Sequence, residues 1–169
     1  MKKTRLIALL MIMVMACSLC ACKKSGKQEL TTRLKKDATV KDALDNIMKN
    51  AKVSDFQQGI SMDTIQYMYL NLDMEIVEDA SGIYINDQKV DEITIIKAKD
   101  GKVADVKSAF KQRISDQLEV SKQYDEKQYK RLSNKDNYVI KSYGNFVILS
   151  IAEDNKGVIK AFEESVTEY

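Results

Sequence analysis

The sequence predicts an α+β fold in which two ββα units form a four-stranded antiparallel sheet, with the helices packed on one face. Two apolar hairpins, at residues 82–98 and 138–149, are each followed by an amphipathic helix. The segment Val106 to Phe110 also resembles the segment Val158 to Phe162, and each follows an acidic turn. Amphipathic helices often share such residues, so this likeness is also explained without a true repeat.

One or two helices are expected before these units. Thr39 to Ala51 carries its apolar residues on one stripe, which is typical of a helix that packs on a core. Ser61 to Leu70 begins with a residue type suited to cap a helix and then follows a helical period. Residues 74–79 fit either a helical turn or a strand.

The ββα region is predicted from the period of its apolar residues and from its turn residues. The expected elements, in chain order, are strands at Gly82–Ile85 and Glu92–Ala98 around the turn Asn86–Lys89, a long helix after Gly101 that ends near Tyr124, a short helix at Glu126–Arg131, strands at Tyr138–Ile140 and Phe146–Leu149, and a last helix that contains residues 158–166.

Residues 1–21 are predicted to be a secretory signal peptide. A positively charged start, M-K-K-T-R, precedes the apolar run Leu6 to Ala16, and small residues near a cleavage point complete such a signal. A membrane-spanning helix needs about 20 apolar residues, and this run is shorter. An uncleaved short anchor is the alternative interpretation.

The end of this segment resembles the lipobox of bacterial lipoproteins. In Leu19-Cys20-Ala21-Cys22 a leucine stands three residues before the last cysteine, and a small residue stands just before it. The resemblance implies a diacylglyceryl group on Cys22 and cleavage after Ala21. Val14 to Cys17 is a weaker second candidate, because it leaves a shorter apolar run. The mature chain would then hold no free thiol for a disulfide or a metal site.

Residues 22–38 are predicted to be a basic tether. Positions 23–36 hold six Lys or Arg residues and one acid, Glu29, which is a net charge of +5. A lipid chain combined with a basic patch anchors a protein stably, and each cation near an anionic leaflet adds about 1 kcal/mol. A simple spacer explains the same composition. One extracytoplasmic domain, residues 39–169, is expected to follow.

The charge of the domain argues against a nucleic-acid partner. After residue 36 the chain has 18 basic and 24 acidic residues, a net charge of −6. Nucleic-acid-binding domains usually carry a basic patch or stripe instead.

The sequence offers no convincing catalytic, metal or cofactor motif. It contains no His, the usual general base and a common metal ligand. Ser108 and Lys111 match the S-x-x-K pattern of penicillin-binding enzymes, but the companion K-T-G is missing. Acidic pairs such as Asp91 and Glu92 are adjacent, so on a strand they would point to opposite faces. No calcium-loop pattern is present.

Glu92 and Lys97, on the second predicted strand, are the candidates for a structural or functional role. Their odd separation places them on opposite faces of a strand, so they are not expected to pair with each other. Each is expected to cap an end of the sheet or to meet a helix.

Several segments together resemble a family of short lipoproteins from Gram-positive bacteria, known only as domain of unknown function 4358. These segments are the strand Asp91 to Ala98, the long helix through Arg113 and Tyr124, and the hairpin Tyr143 to Val147. The likeness covers about Ser61 to Glu164. Members usually carry a Pro where this chain has Asp125. The resemblance implies an envelope location and no established activity or functional residues.

The sequence therefore predicts a non-catalytic envelope module, held to the outer face of the cell membrane by the lipid on Cys22. Its partner would be an envelope protein or a wall component. The alternatives are a small hydrolase that uses carboxylates or a Ser–Lys pair, and a small-ligand carrier for a transporter.

Overall fold

The computed structural model describes residues 33–53, 58–84 and 91–168. Its elements, in chain order, are β1 (Arg33–Leu34), α1 (Val40–Asn50), β2 (Gln58–Ile60), α2 (Met62–Met68), a 3₁₀ turn (Met74–Ile76), β3 (Val77–Tyr84), β4 (Glu92–Ala98), α3 (Val103–Tyr124), α4 (Glu126–Ser133), a second 3₁₀ turn (Lys135–Asn137), β5 (Val139–Tyr143), β6 (Phe146–Ile151), α5 (Asn155–Val166) and β7 (Thr167–Glu168). The predicted signal peptide, Ala21, Cys22 and the turn Asn86–Lys89 lie outside the described residues.

Short polar side chains fix where three of the helices begin. The hydroxyl of Thr39 accepts a hydrogen bond from the backbone N–H of Asp42 at the start of α1. Asp125 and Asp154 cap α4 and α5 in the same way. Such caps satisfy backbone N–H groups that the first helical turn leaves free. Asp125 therefore both ends α3 and begins α4.

The main sheet is antiparallel and has five strands in the order β2-β3-β4-β6-β5. The prediction of four strands is wrong in number, because β2 pairs with β3 at the edge. Strand β2 has only three residues, of which Ile60 alone is buried. A strand that short shows no alternation of apolar and polar residues, so the sequence pattern does not reveal it.

Helices cover both faces of the sheet, and the expectation that they pack on one face is wrong. Helices α3 and α4 lie on the face that contains Ile96 and Leu149. Helices α1 and α5 lie on the other face, which contains Ile95 and Ile148. Every residue of β6 is buried. The central strands therefore lie between two apolar layers, and α3 and α5 are on opposite sides of them.

A two-stranded ribbon joins the beginning and the end of the described domain. Strand β1 pairs with β7, with Leu34 opposite Thr167. The backbone N–H of Lys35 also donates to the carbonyl of Val166 at 3.0 Å. Strand β1 lies within the predicted tether, residues 22–38. Of the helices in the described ranges, none has the length and apolar character needed to cross a bilayer.

Candidate functional site

Glu92 is buried at the first position of β4. Glu92 is 1% exposed. Among the residues that the structure describes, it is the one charged residue that is buried. The strand directs its side chain to the face covered by α3. A carboxylate in that position must be paired and hydrogen-bonded, because an isolated buried charge is very costly.

Four side chains surround the Glu92 carboxylate, and we call the five residues the Glu92 cluster. Oε1 accepts hydrogen bonds from the Tyr69 hydroxyl and from the Thr94 hydroxyl, the latter at 3.0 Å. Oε2 accepts from Arg113 Nε at 3.1 Å and from Gln117 Nε2 at 3.0 Å. Arg113 Nη2 is also 3.0 Å from Oε2. Both carboxylate oxygens are therefore fully engaged inside the protein.

The Glu92 cluster connects three elements of the fold. Tyr69 follows α2, Glu92 and Thr94 belong to β4, and Arg113 and Gln117 lie one turn apart on α3. The Arg113 guanidinium is 5.8 Å from the centre of the Tyr69 ring, so the same cation contacts both the carboxylate and the aromatic face. The cluster thus fixes α2 and α3 against the sheet.

Burial raises the pKa of the Tyr69 hydroxyl well above its ordinary value of 10.0, and the neighbouring Glu92 charge raises it further. A phenolate at Tyr69 would be shielded from water and would lie beside the negative charge of Glu92. Both effects disfavour the ionised form of the tyrosine and so raise its pKa. Tyr69 therefore keeps its proton and acts as a hydrogen-bond donor to Glu92.

We expect the Tyr69→Phe variant to lose about 1.5–3 kcal/mol of stability near neutral pH, because a hydrogen bond to a charged group disappears. The difference from the unsubstituted chain should narrow above pH 10, since the unfolded tyrosine then releases its proton while the folded one keeps it. The stabilisation is complete below pH 10 and is lost as the pH rises toward the raised pKa. Urea unfolding over a pH series measures both effects.

Tyr67→Phe is the matched control, because Tyr67 lies in α2, two residues before Tyr69, and is 74% exposed. It should unfold like the unsubstituted chain at every pH. If the difference for Tyr69→Phe stays constant through the alkaline range, the raised pKa is contradicted.

Asp91 is held by a second arginine. Its Oδ1 is 2.5 Å from Nη1 of Arg131 on α4, and both side chains are largely buried. Asp91 precedes β4, so strand alternation does not apply to it. The adjacent acids Asp91 and Glu92 are therefore each paired with an arginine from a different helix.

Lys97 does not join the Glu92 cluster. Its ammonium is 2.8 Å from the Glu78 carboxylate, and both side chains are about one-third exposed. It also lies 5.9 Å from the centre of the Phe146 ring. Glu92 and Lys97 are thus in separate environments, one buried and the other partly exposed.

The other chemical motifs are not assembled into sites within the described ranges. Ser108 and Lys111 are exposed on α3, and no hydrogen bond joins them there. No group of three acidic or cysteine side chains is placed to hold a metal ion in those same ranges.

An open groove beside β5 is a second candidate site. It has a volume of about 750 Å³ and lies between the second 3₁₀ turn, β5 and α5. We call it the lysine groove, since four of its lining residues are lysines. The lining consists of Lys135, Asp136, Tyr138, Val139, Lys141, Asn155, Lys156, Ile159, Lys160 and Glu163.

The sequence predicts neither the side chains that surround Glu92 nor the proximity of the four lysines in the groove. Arg113 and Gln117 are spaced by four, beside the buried positions Phe110 and Ile114. Polar residues beside an apolar stripe usually face solvent, so this spacing alone does not predict their contact with Glu92. The lysines come from three elements, so no local pattern connects them.

Comparison with known proteins identifies one family. The model of the family described as "Domain of unknown function (DUF4358)" matches residues 49–152. That match contains the whole Glu92 cluster and ends before α5. No curated protein and no solved structure matches the chain.

Proposed function

The chain belongs to the family described as "Domain of unknown function (DUF4358)", and for this member we propose a membrane-anchored lipoprotein whose domain binds a partner in the cell envelope without catalysing a reaction. The amino terminus supports the anchor. It combines a charged start, an apolar run and Leu19-Cys20-Ala21-Cys22. Diacylation of Cys22 would hold the domain at the outer face of the cell membrane.

The tether supports a position close to that membrane. Ten residues separate Cys22 from Arg33, where β1 begins, and a fully extended chain over those eleven residue steps spans at most about 40 Å. The lysines and arginine of the tether favour an anionic membrane surface. A binding surface on the domain would then act on molecules within a short distance of the membrane.

The engagement of Glu92 is the observation that favours binding over hydrolysis. A general base must have a free lone pair within reach of its substrate. The Glu92 oxygens instead accept from Tyr69, Thr94, Arg113 and Gln117, so this carboxylate supports the fold. The lysine groove, by contrast, is open and lined with exposed cations that suit a bound partner.

One experiment compares the unsubstituted chain with the Cys22→Ala variant in cells supplied with a clickable palmitate analogue. The unsubstituted chain should take up the label and sediment with membranes, and the variant should carry none. In-cell crosslinking of the same two strains should enrich one envelope partner with the anchored chain above the variant. Equal label on both proteins contradicts the lipid anchor. A labelled chain that enriches no partner contradicts the binding role.

A further inference from the structure

The lysine groove is a positively charged surface on a domain whose overall charge is negative. Four lysines line it, against the two acids Asp136 and Glu163. After residue 36 the chain as a whole has 18 basic and 24 acidic residues. A local cluster of one sign, set against the net charge of the domain, favours a partner of the opposite sign.

Internal ion pairs leave much of this charge available. Lys135 and Lys156 are exposed and form no ion pair with any residue in the described ranges. Lys141 is 3.7 Å from Glu163, and Lys160 is 3.8 Å from Glu164. Ion pairs of this length between exposed side chains contribute little to stability. Both lysines can therefore exchange their partner for a carboxylate of another molecule.

Strand β5 runs along the groove and forms an edge of the main sheet. It joins β6 through a two-residue turn, with Tyr143 opposite Phe146 and Lys141 opposite Ile148. In an antiparallel pair only alternate residues bond to the neighbouring strand. The backbone N–H and C=O groups of Ile140 and Ser142 therefore face the open side, where they bond to no described residue.

We propose that the lysine groove and the open edge of β5 together bind an extended acidic peptide segment of an envelope protein, which adds a sixth strand to the sheet. The segment would take up the free backbone groups of Ile140 and Ser142. Its carboxylates on the α5 side would meet Lys141, Lys156 and Lys160. Main-chain hydrogen bonds provide affinity in this mode, and alternate side chains provide specificity.

A peptide fits these observations better than another anionic polymer. Lysines attract phosphate and carboxylate groups alike, but only a polypeptide offers N–H and C=O groups at the spacing of a strand. A guard against aggregation, the usual role of lysine on an edge strand, accounts for Lys141. It does not account for Lys156 and Lys160, which lie on α5.

Neither this chain's own tether nor a second copy suits the groove. The tether carries a net charge of +5 over residues 23–36, so the lysines would repel it. Antiparallel pairing of two β5 strands about a two-fold axis perpendicular to the sheet would place two lysine grooves side by side on one face. Like charges in that arrangement oppose association.

The test uses the full lipidated chain in detergent micelles and a short fluorescent peptide that alternates glutamate and valine. Three other probes are compared by fluorescence anisotropy: the same peptide with lysine in place of glutamate, the glutamate peptide N-methylated at alternate residues, and inorganic polyphosphate. The glutamate peptide should bind, and the lysine peptide should not. N-methylation should weaken binding by about tenfold or more, because it removes main-chain donors.

A triple variant, Lys135→Gln with Lys156→Gln and Lys160→Gln, tests the groove. All three residues are exposed, so the fold should tolerate the changes. Binding of the glutamate peptide should fall about tenfold. The matched control, Lys49→Gln with Lys111→Gln and Lys122→Gln, removes the same charge from other exposed positions. It should bind within about twofold of the unsubstituted chain.

Several results would overturn the proposal, which rests on the proposed binding function but fails separately from it. If the two triple variants lose equal affinity for the glutamate peptide, the net charge of the domain determines binding and the position of the lysines does not. An unchanged affinity of the N-methylated peptide, together with lysine-dependent binding of polyphosphate, would indicate a site for an anionic polymer instead. If the groove variant still crosslinks to the same envelope partner in cells as strongly as the unsubstituted chain, the binding function stands and the groove is not its site.

Discussion

We expect the Glu92→Ala variant to lose about 3–5 kcal/mol of stability, because it removes one partner of a buried ion pair. Arg113 is 23% exposed on its side chain, so its charge would remain largely enclosed by protein. The Tyr69 hydroxyl, the Thr94 hydroxyl and the Gln117 amide would also lose their common acceptor. A loss of that size is a large share of the roughly 5–15 kcal/mol that stabilises a domain. Urea unfolding followed by circular dichroism measures it.

Glu78→Ala is the control for this prediction. Glu78 pairs with Lys97 at 2.8 Å, but its side chain is 36% exposed, so the pair should contribute at most about 1 kcal/mol. Adding Arg113→Ala to Glu92→Ala should cost little more, since residues of one network do not act additively. Equal losses for Glu92→Ala and Glu78→Ala would show that burial does not set the strength of the Glu92 cluster.

The helices and most strands could be predicted because their signals are local. The apolar stripe of the long helix predicts which of its faces is buried. The predicted end of this helix near Tyr124 is confirmed, because α3 ends at Tyr124. The small discrepancies fall at element ends, such as β3, which begins at Val77 rather than Gly82. Residues 74–79 fit either a helical turn or a strand, and the structure has both there, a 3₁₀ turn at Met74–Ile76 followed by the start of β3.

The layering of the sheet was mispredicted although the sequence contains a signal for it. Strand β4 includes the consecutive apolar residues Ile95 and Ile96, and every residue of β6 is buried. A strand with one solvated face alternates polar and apolar residues, whereas a strand covered on both faces is apolar throughout. The apolar run Phe146–Leu149 in β6 and the adjacent pair Ile95 and Ile96 in β4 therefore indicate apolar contacts on both sides, as the structure has them.

The Glu92 cluster was only partly predictable. Glu92 was a candidate together with Lys97, because the two charged residues lie on opposite faces of the second predicted strand. Apart from Thr94 on the same strand, the partners of Glu92 come from segments more than twenty residues away on either side. Only the packing of α3 and of the turn after α2 on the same face of β4 brings them together. The pairing is therefore a property of the tertiary structure.

Gly82→Ala is expected to destabilise the domain by about 3 kcal/mol, at the upper end of the usual effect of overpacking. Gly82 lies in β3, between Ile60 of β2 and Thr94 of β4. A Cβ atom there would overlap the carbonyl oxygen of Ile93 and would lie 3.0 Å from the Cα of Thr94. Both atoms belong to the backbone of β4, so no side-chain rotation can relieve the contact. Chemical unfolding of the variant measures the loss.

The matched substitution is Gly59→Ala on the neighbouring strand β2, where an added Cβ meets no atom within 4 Å. It should leave stability unchanged or raise it by about 0.5 kcal/mol, because alanine has less freedom to lose on folding than glycine. A large loss at Gly82 alone would show that β4 cannot move away, since both its faces are packed and Glu92 is bound at its start. A Gly82→Ala variant as stable as Gly59→Ala would instead mean that β3 and β4 can separate without disturbing either layer of helices.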